Sequence, residues 1–256
     1  MSKLPKKSAA KQNLVIGLVV LVVLAGAYLY THRNVRNSTE QGYTYNQNQQ
    51  NSATTNNSNQ NSGSKNLPAK FQLTVPFTAQ APTANWDELH NQACEEASAI
   101  MTNAFFAGIS SLPPATVEKE IDSLTKWQQD NFGYNLSINT QETVQMIQAN
   151  FPLNAEIVNV SEQTIKQALV ENKLVIFPGN GQMLNNPNFK TPGPVYHMLV
   201  ITGYNGDTFV TNDPGTRNGF NYKYSYSTLE AANGNWDKYQ EKVNLSDKKI
   251  IIVSKK

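Results

Sequence analysis

The chain has 256 residues, one cysteine, three histidines and a formal net charge of +2. A single cysteine rules out an internal disulfide framework, and so small a charge, much of it from Lys3, Lys6, Lys7 and Lys11, gives no basis for a nucleic-acid role. The length suits one substantial domain or two small ones, and the contrast in composition between the two ends of the chain favours one.

Residues 1–13 are basic and carry no acid. The segment from Leu14 to Tyr30 has no charged side chain; at about 1.5 Å of rise per residue it is at the short end of what spans a hydrocarbon core. Ala25-Gly26-Ala27 offers a small-residue cleavage site, whereas Tyr28, Leu29 and Tyr30 continue the apolar run up to His32 and Arg33, which suits a helix retained in the bilayer. The expectation is a single transmembrane signal anchor over residues 14–32. The four lysines outweigh Arg33 and Arg36 and keep residues 1–13 cytoplasmic. The remainder is then extracytoplasmic, on the cell membrane, or secreted if the segment is cut. Residues 33–66 are dominated by Asn, Gln, Ser and Thr and cannot bury enough apolar surface to offset their ordering entropy, so they read as a disordered linker.

Residues 67–256 form the globular domain, long enough for one core. Phe71 to Phe77 reads as a short strand, followed by a polar loop from Gln80 to Asn91. Cys94 to Ala107 has helical apolar spacing and stops at Gly108. After Pro113-Pro114, a second helix is expected over Ala115–Gln129, with Val117, Ile121, Leu124 and Trp127 on one face, and a third over Thr140–Ala149. Glu156 to Val160 alternates as a strand does, and Ser161 opens a helix running to about Glu171.

From there the signal turns to strands. Lys173–Phe177 and Tyr196–Tyr204 are apolar runs; Asn205-Gly206-Asp207 marks a hairpin, and Thr208–Thr211 pairs back. Tyr222–Ala232 mixes strand-like and helix-like spacing, and Lys249–Ser254 is the last strand. Helices first and an antiparallel sheet second is the α+β pattern.

Cys94 falls at a helix N-terminus, where unpaired N–H groups and the helix dipole favour a thiolate. Glu95 and Glu96 oppose it, so activation requires a cationic partner. Of the histidines, His32 lies at the membrane edge and His90 reads as an exposed loop residue. His197 begins a buried strand whose hairpin partner ends at Asp213. With the turn at Asn205-Gly206, facing residues sum to about 411, which sets His197 near position 214 and Asp213 within a residue of it. A thiol, an imidazole and an orienting carboxylate are the parts of a thiol hydrolase. One Cys, one His and one Asp fall short of the closed four-ligand shell that zinc prefers, so no metal or other cofactor is expected.

Five segments in order resemble a known family: Val75-Pro76-Phe77-Thr78-Ala79-Gln80; Asn85-Trp86-Asp87; Ala93-Cys94-Glu95-Glu96-Ala97-Ser98; Tyr196-His197-Met198-Leu199-Val200-Ile201 with Gly203-Tyr204; and Thr211-Asn212-Asp213-Pro214-Gly215-Thr216. Together they look like the C39-like cysteine peptidases of bacterial envelopes. The resemblance implies a papain-like fold, with N-terminal helices packed on an antiparallel sheet. It also implies a peptide or protein substrate, Cys94 as nucleophile, His197 as base and acid, Asp213 as the orienting residue and Gln80 as the oxyanion donor. Gln92 is a rival for that last role. Bacteriocin-processing members carry glycine after the cysteine, where this chain has Glu95, and an ATP-binding cassette, for which this chain has no Walker-type motif. Cell-wall peptides as substrate, or a non-catalytic peptide-binding module, are the alternatives.

Overall fold

The computed structural model of the protein describes residues 67–256. The expected cytoplasmic segment 1–13, anchor 14–32 and linker 33–66 lie outside the described residues. Among the described residues, no helix is long and apolar enough to cross a membrane.

In chain order the elements are β1 Lys70–Gln72, α1 Cys94–Ala107, α2 Pro114–Phe132, α3 Thr140–Asn150, β2 Leu153–Asn159, α4 Glu162–Val170, β3 Leu174–Gly179, β4 His197–Asn205, β5 Thr208–Asn212, β6 Tyr222–Ser225, α5 Tyr226–Ala232, β7 Asn235–Asp237, β8 Lys242–Asn244 and β9 Lys249–Lys255. Short 3-10 turns lie at His90–Gln92 and Gln182–Leu184. Six strands run β2-β9-β3-β4-β5-β6, every pairing antiparallel, and β1 adds to β4. The α+β expectation, helices with an antiparallel sheet, is met.

Local chemistry sets most boundaries. Gly108 ends α1 in the left-handed region at φ 72°, where its N–H reaches the Ala104 and Phe105 carbonyls. Pro114 starts α2, where a missing N–H costs nothing. Asn139 and Glu142 form a reciprocal capping box at the start of α3, and Ser161 caps α4.

Helix α1 is buried on nearly every side, including the side chains of Glu95 and Glu96, and packs against β4, β3 and α2. Every residue of β3 and all but the last of β4 are buried, so these central strands are covered on both faces. Ile100 and Met101 of α1, Ile121 of α2, Phe177 of β3 and Phe209 of β5 are fully buried in the core. Burying each such side chain contributes about 1.5–3 kcal/mol, and this holds α1 rigidly against the start of β4.

Several expected boundaries differ. The first strand pairs only over Lys70–Gln72, with one further bond from the Leu73 N–H to the Thr202 carbonyl, because from Ile201 back to His197 that side of β4 is already paired with β3. The mixed stretch Tyr222–Ala232 resolves into β6 followed by α5, separated by the N-cap Ser225. The β7–β8 hairpin was not anticipated, since three-residue strands carry almost no periodicity. The β4–β5 turn is Gly206-Asp207, and a bulge between Ile201 and Gly203 shifts the register. Facing pairs are Asn205 with Thr208 and, beyond the bulge, Val200 with Asn212, so the expected register was displaced.

Candidate active site

Three chain segments converge at the N-terminus of α1. The first residue of that helix, Cys94, is 3% exposed. Its N-cap, Ala93, supplies no side-chain cap. The first-turn acids that usually reach solvent turn inward here, with Glu95 0% and Glu96 1% exposed. The Cys94 thiol donates to Glu95 Oε2 at 3.0 Å, and Glu95 Oε1 accepts the Ile138 N–H at 3.0 Å, tying the helix to the segment before α3. Gln128 of α2 donates to Glu96 Oε1.

These groups shift one another. Burial pushes the thiol well above its usual range, and the charge and hydrogen bond of Glu95 push it further; the Met198 N–H, on the strand beside it, pulls the other way. Burial likewise raises the Glu95 carboxyl to about 7, against the thiol, the Ile138 and Glu95 N–H groups and the charge of His197. Glu96 is pushed well up by burial and then by Glu95. The lowering expected from a helix N-terminus is outweighed: the dipole contributes a fraction of a charge in one turn, while burial and a full negative neighbour act on the sulfur directly.

The second segment is the start of β4. His197 is 1% exposed, with its ring edge-on to Phe189 at 5.2 Å between centroids. Its Nε2 lies 2.7 Å from Asp213 Oδ1. Its Nδ1 is buried without a hydrogen-bond partner, and among the described residues no hydrogen bond joins it to Cys94. The structure therefore brings His197 and Asp213 into contact and sets the sulfur beside Met198, the next residue of β4, with the thiol turned to Glu95.

Asp213, the third contributor, follows β5 and is fully buried. Besides the ring it accepts the Gly215 N–H at Oδ1 (3.0 Å), and at Oδ2 the Tyr224 hydroxyl (2.5 Å) and the Asn186 amide (3.2 Å). Burial alone would raise its carboxyl; the His197 charge and these donors outweigh burial and hold it below the usual carboxylate value. Two glycines make the approach possible. A Cβ on Gly215 would lie 2.8 Å from both His197 Cε1 and Phe189 Cε1, and one on Gly219 would lie 1.7 Å from the Asp213 carbonyl oxygen.

Gln80 is buried between the segments flanking this pair: its N–H donates to the Pro214 carbonyl at 2.9 Å, and its side-chain amide donates to the His90 carbonyl at 2.8 Å, in the turn leading to Cys94. Its Oε1 is buried and unpartnered. Gln92 is half-buried and accepts from the Ser137 hydroxyl at 2.8 Å.

His90 corrects the sequence reading. It is 4% exposed, not a solvated loop residue, with Nδ1 2.7 Å from Asp87 and Nε2 2.9 Å from Glu118 of α2. Nothing near His90 in sequence announces Glu118. Asn212 is also internal: its amide donates to the Val75 and Pro76 carbonyls, pinning the segment that carries Gln80. Sequence reasoning missed Tyr224 and Asn186; the alternating Tyr222 and Tyr224 of β6 were the available signal for the first, and an Asn-rich loop gives none for the second.

A surface cleft of about 400 Å³ lies between Asp87, Glu88 and Leu89 on one wall and Asn135 and Leu136 on the other. Just beyond the two walls in sequence, the Ser137 hydroxyl donates to Gln92, and the Ile138 N–H reaches Glu95. A second hollow of about 410 Å³, beside Phe105 and Phe106, is at the opposite end of α1, roughly 16 Å from Cys94 along the helix.

The profile of the family described as "Peptidase_C39 like family" matches residues 72–243. Among solved structures, the chain is similar to a crystal structure from Bacillus anthracis described as that of a provisional C39-like peptidase. The identity is 16% and the TM-score 0.47, over 73% of this chain and 98% of that one. No curated protein matches the sequence.

Proposed function

The chain belongs to the peptidase C39-like family, and from that premise we propose that it is a cysteine peptidase, anchored in the cell membrane by residues 14–32 and acting outside the membrane on peptide or protein substrates. Residues 33–66 are the spacer and residues 67–256 the working domain. Nucleic acid has no part in this reading, and no cofactor is invoked.

In this reading His197 takes the Cys94 proton at Nδ1, and the sulfur attacks the scissile carbonyl carbon. In this reading the charge that develops on the oxygen is met by the helix N-terminus and by Gln80, whose side-chain amide uses one hydrogen on the His90 carbonyl and has a second to donate. His197 then gives its proton to the leaving amine, and water, activated by the same ring, releases the acyl group. Asp213 fixes the ring orientation and stabilises the imidazolium through its 2.7 Å contact.

One observation carries the reading. The ring of His197 is held by Asp213 through Nε2, leaving Nδ1 free beside the strand whose next N–H acts on the Cys94 sulfur. A general base needs this: one nitrogen committed to an orienting carboxylate and the other open.

A non-catalytic peptide-binding reading has one observation in its favour. The thiol is buried and donates to Glu95 rather than to the imidazole. Incubating the full chain with a peptide library and with purified peptidoglycan separates the readings. Cleavage that disappears in Cys94→Ala and His197→Ala supports hydrolysis, and its appearance only with peptidoglycan assigns cell-wall peptides. Specific retention of peptides without any cleavage supports the binding module.

A further inference from the structure

Glu95 is the one side chain in hydrogen-bond contact with the sulfur of Cys94 among the described residues, and it takes the thiol's hydrogen bond while His197 Nδ1 has no partner. It is fully buried and held in place by the Ile138 N–H, so it cannot move to solvent without breaking that bond. It is faced by Cys94 and Glu96 on its own helix, by the charge of His197 at the start of β4, and by the Tyr196 phenol one residue earlier. The Tyr196 hydroxyl is buried and unpartnered, and one Glu96 oxygen is buried and unpartnered as well. The site thus holds two buried carboxyls, a thiol and an imidazole, and a thiolate there would add a further negative charge beside Glu95.

We propose that Glu95 is a further catalytic residue that controls the nucleophile. As a carboxylate it accepts the thiol proton's hydrogen bond and keeps the sulfur from His197; as a carboxylic acid it releases the thiol and donates to the thiolate. This deepens the hydrolytic reading and rests on it for the role of His197.

The proton balance is closed. The Glu95 carboxylate takes up one proton from solvent hydronium, which leaves as water. The Cys94 S–H bond breaks and that proton passes to His197 Nδ1, forming thiolate and imidazolium. The Glu95 O–H then donates to the sulfur. The reactive state therefore carries one more proton than the resting state, so mild acid favours it, opposite to a free cysteine, which grows more reactive as pH rises. Burial that raises the Glu95 carboxyl to about 7 places the change near neutrality.

The test is the rate of Cys94 alkylation by iodoacetamide in the full chain between pH 5.5 and 8.5, read by mass spectrometry. For the unsubstituted protein the rate is expected to fall by about tenfold from pH 6 to pH 8, one pKa unit's worth of population or more. In Glu95→Gln, whose amide can donate to the thiolate at any pH, labelling at pH 8 is expected to be at least about tenfold faster than in the unsubstituted protein, and the fall with pH disappears. A rate in the unsubstituted protein that climbs with pH as a free thiol does overturns the proposal, as does slower or unchanged labelling at pH 8 in a folded Glu95→Gln. If that variant does not fold, the unsubstituted profile decides alone. Peptide cleavage with Glu95-independent labelling removes this inference and leaves the hydrolytic reading; an acid-favoured, Glu95-dependent thiol without cleavage does the reverse.

Discussion

Replacing Tyr224 by Phe removes one hydroxyl from the pair that orients the ring. That hydroxyl donates to Asp213 Oδ2 at 2.5 Å and accepts from the Asn186 amide at 2.8 Å, in a buried place that water does not reach. A hydrogen bond to a charged, buried acceptor contributes about 1.5–3 kcal/mol, and removing the oxygen leaves little void. At about 2–4 °C per kcal/mol for a domain of this size, the midpoint of thermal unfolding is expected to fall by roughly 3–12 °C at pH 7. The sign of its pH dependence follows from Asp213, whose folded-state carboxyl lies below its usual value of 3.8. Such a group contributes stability above its unfolded pKa and loses it as pH falls through the folded value. Tyr224→Phe lifts the folded value, so the deficit is full at neutral pH and narrows below about pH 4. Melting curves of the full chain at pH 7 and pH 3 test this. An unchanged midpoint at pH 7, or an equal deficit at both, would refute the claim that the hydroxyl acts on a charged Asp213.

The remaining expectations follow the same geometry. Gly215→Ala puts a methyl 2.8 Å from His197 Cε1 and from Phe189, and is expected to cost about 1–3 kcal/mol in unfolding experiments and to abolish peptide cleavage by tilting the ring. Gly219→Ala meets the Asp213 carbonyl oxygen, a backbone atom, at 1.7 Å, so it is expected to prevent folding, checked by circular dichroism. Glu96→Gln keeps the shape and removes a carboxyl whose folded-state pKa is raised above 4.5, a group that makes the folded protein less stable as pH climbs from that value upward. The variant is expected to melt higher than the unsubstituted protein at pH 8 and the two to converge near pH 4, which thermal scans across that range would show.

The elements that carry the site were legible because their signals are local. A polar loop giving way to helical spacing fixes the start of α1 at Cys94, and a turn signal eight residues on from His197 forecasts that Asp213 returns toward it. The register was harder: the bulge at Ile201 and Gly203 inserts a residue that no composition rule announces, yet the Asp213 side chain still reaches the ring. What stayed hidden depends on contacts far apart in sequence. Glu95 and Glu96 look like solvated first-turn acids, and only the packing of α1 against β4 and α2 turns them inward. His90 is buried by Glu118 of α2, and Asp213 is completed by Asn186 and Tyr224 from two other segments. A strand as short as β7 or β8 has too few residues to show alternation at all.

The most direct measurement is to mix the full chain with excess activated peptide ester, quench within seconds and read the intact mass. An acyl adduct on Cys94 in the unsubstituted protein, absent in both Cys94→Ala and His197→Ala, is the predicted result; no adduct, or one that forms equally well without His197, would contradict a sulfur and an imidazole working as one unit.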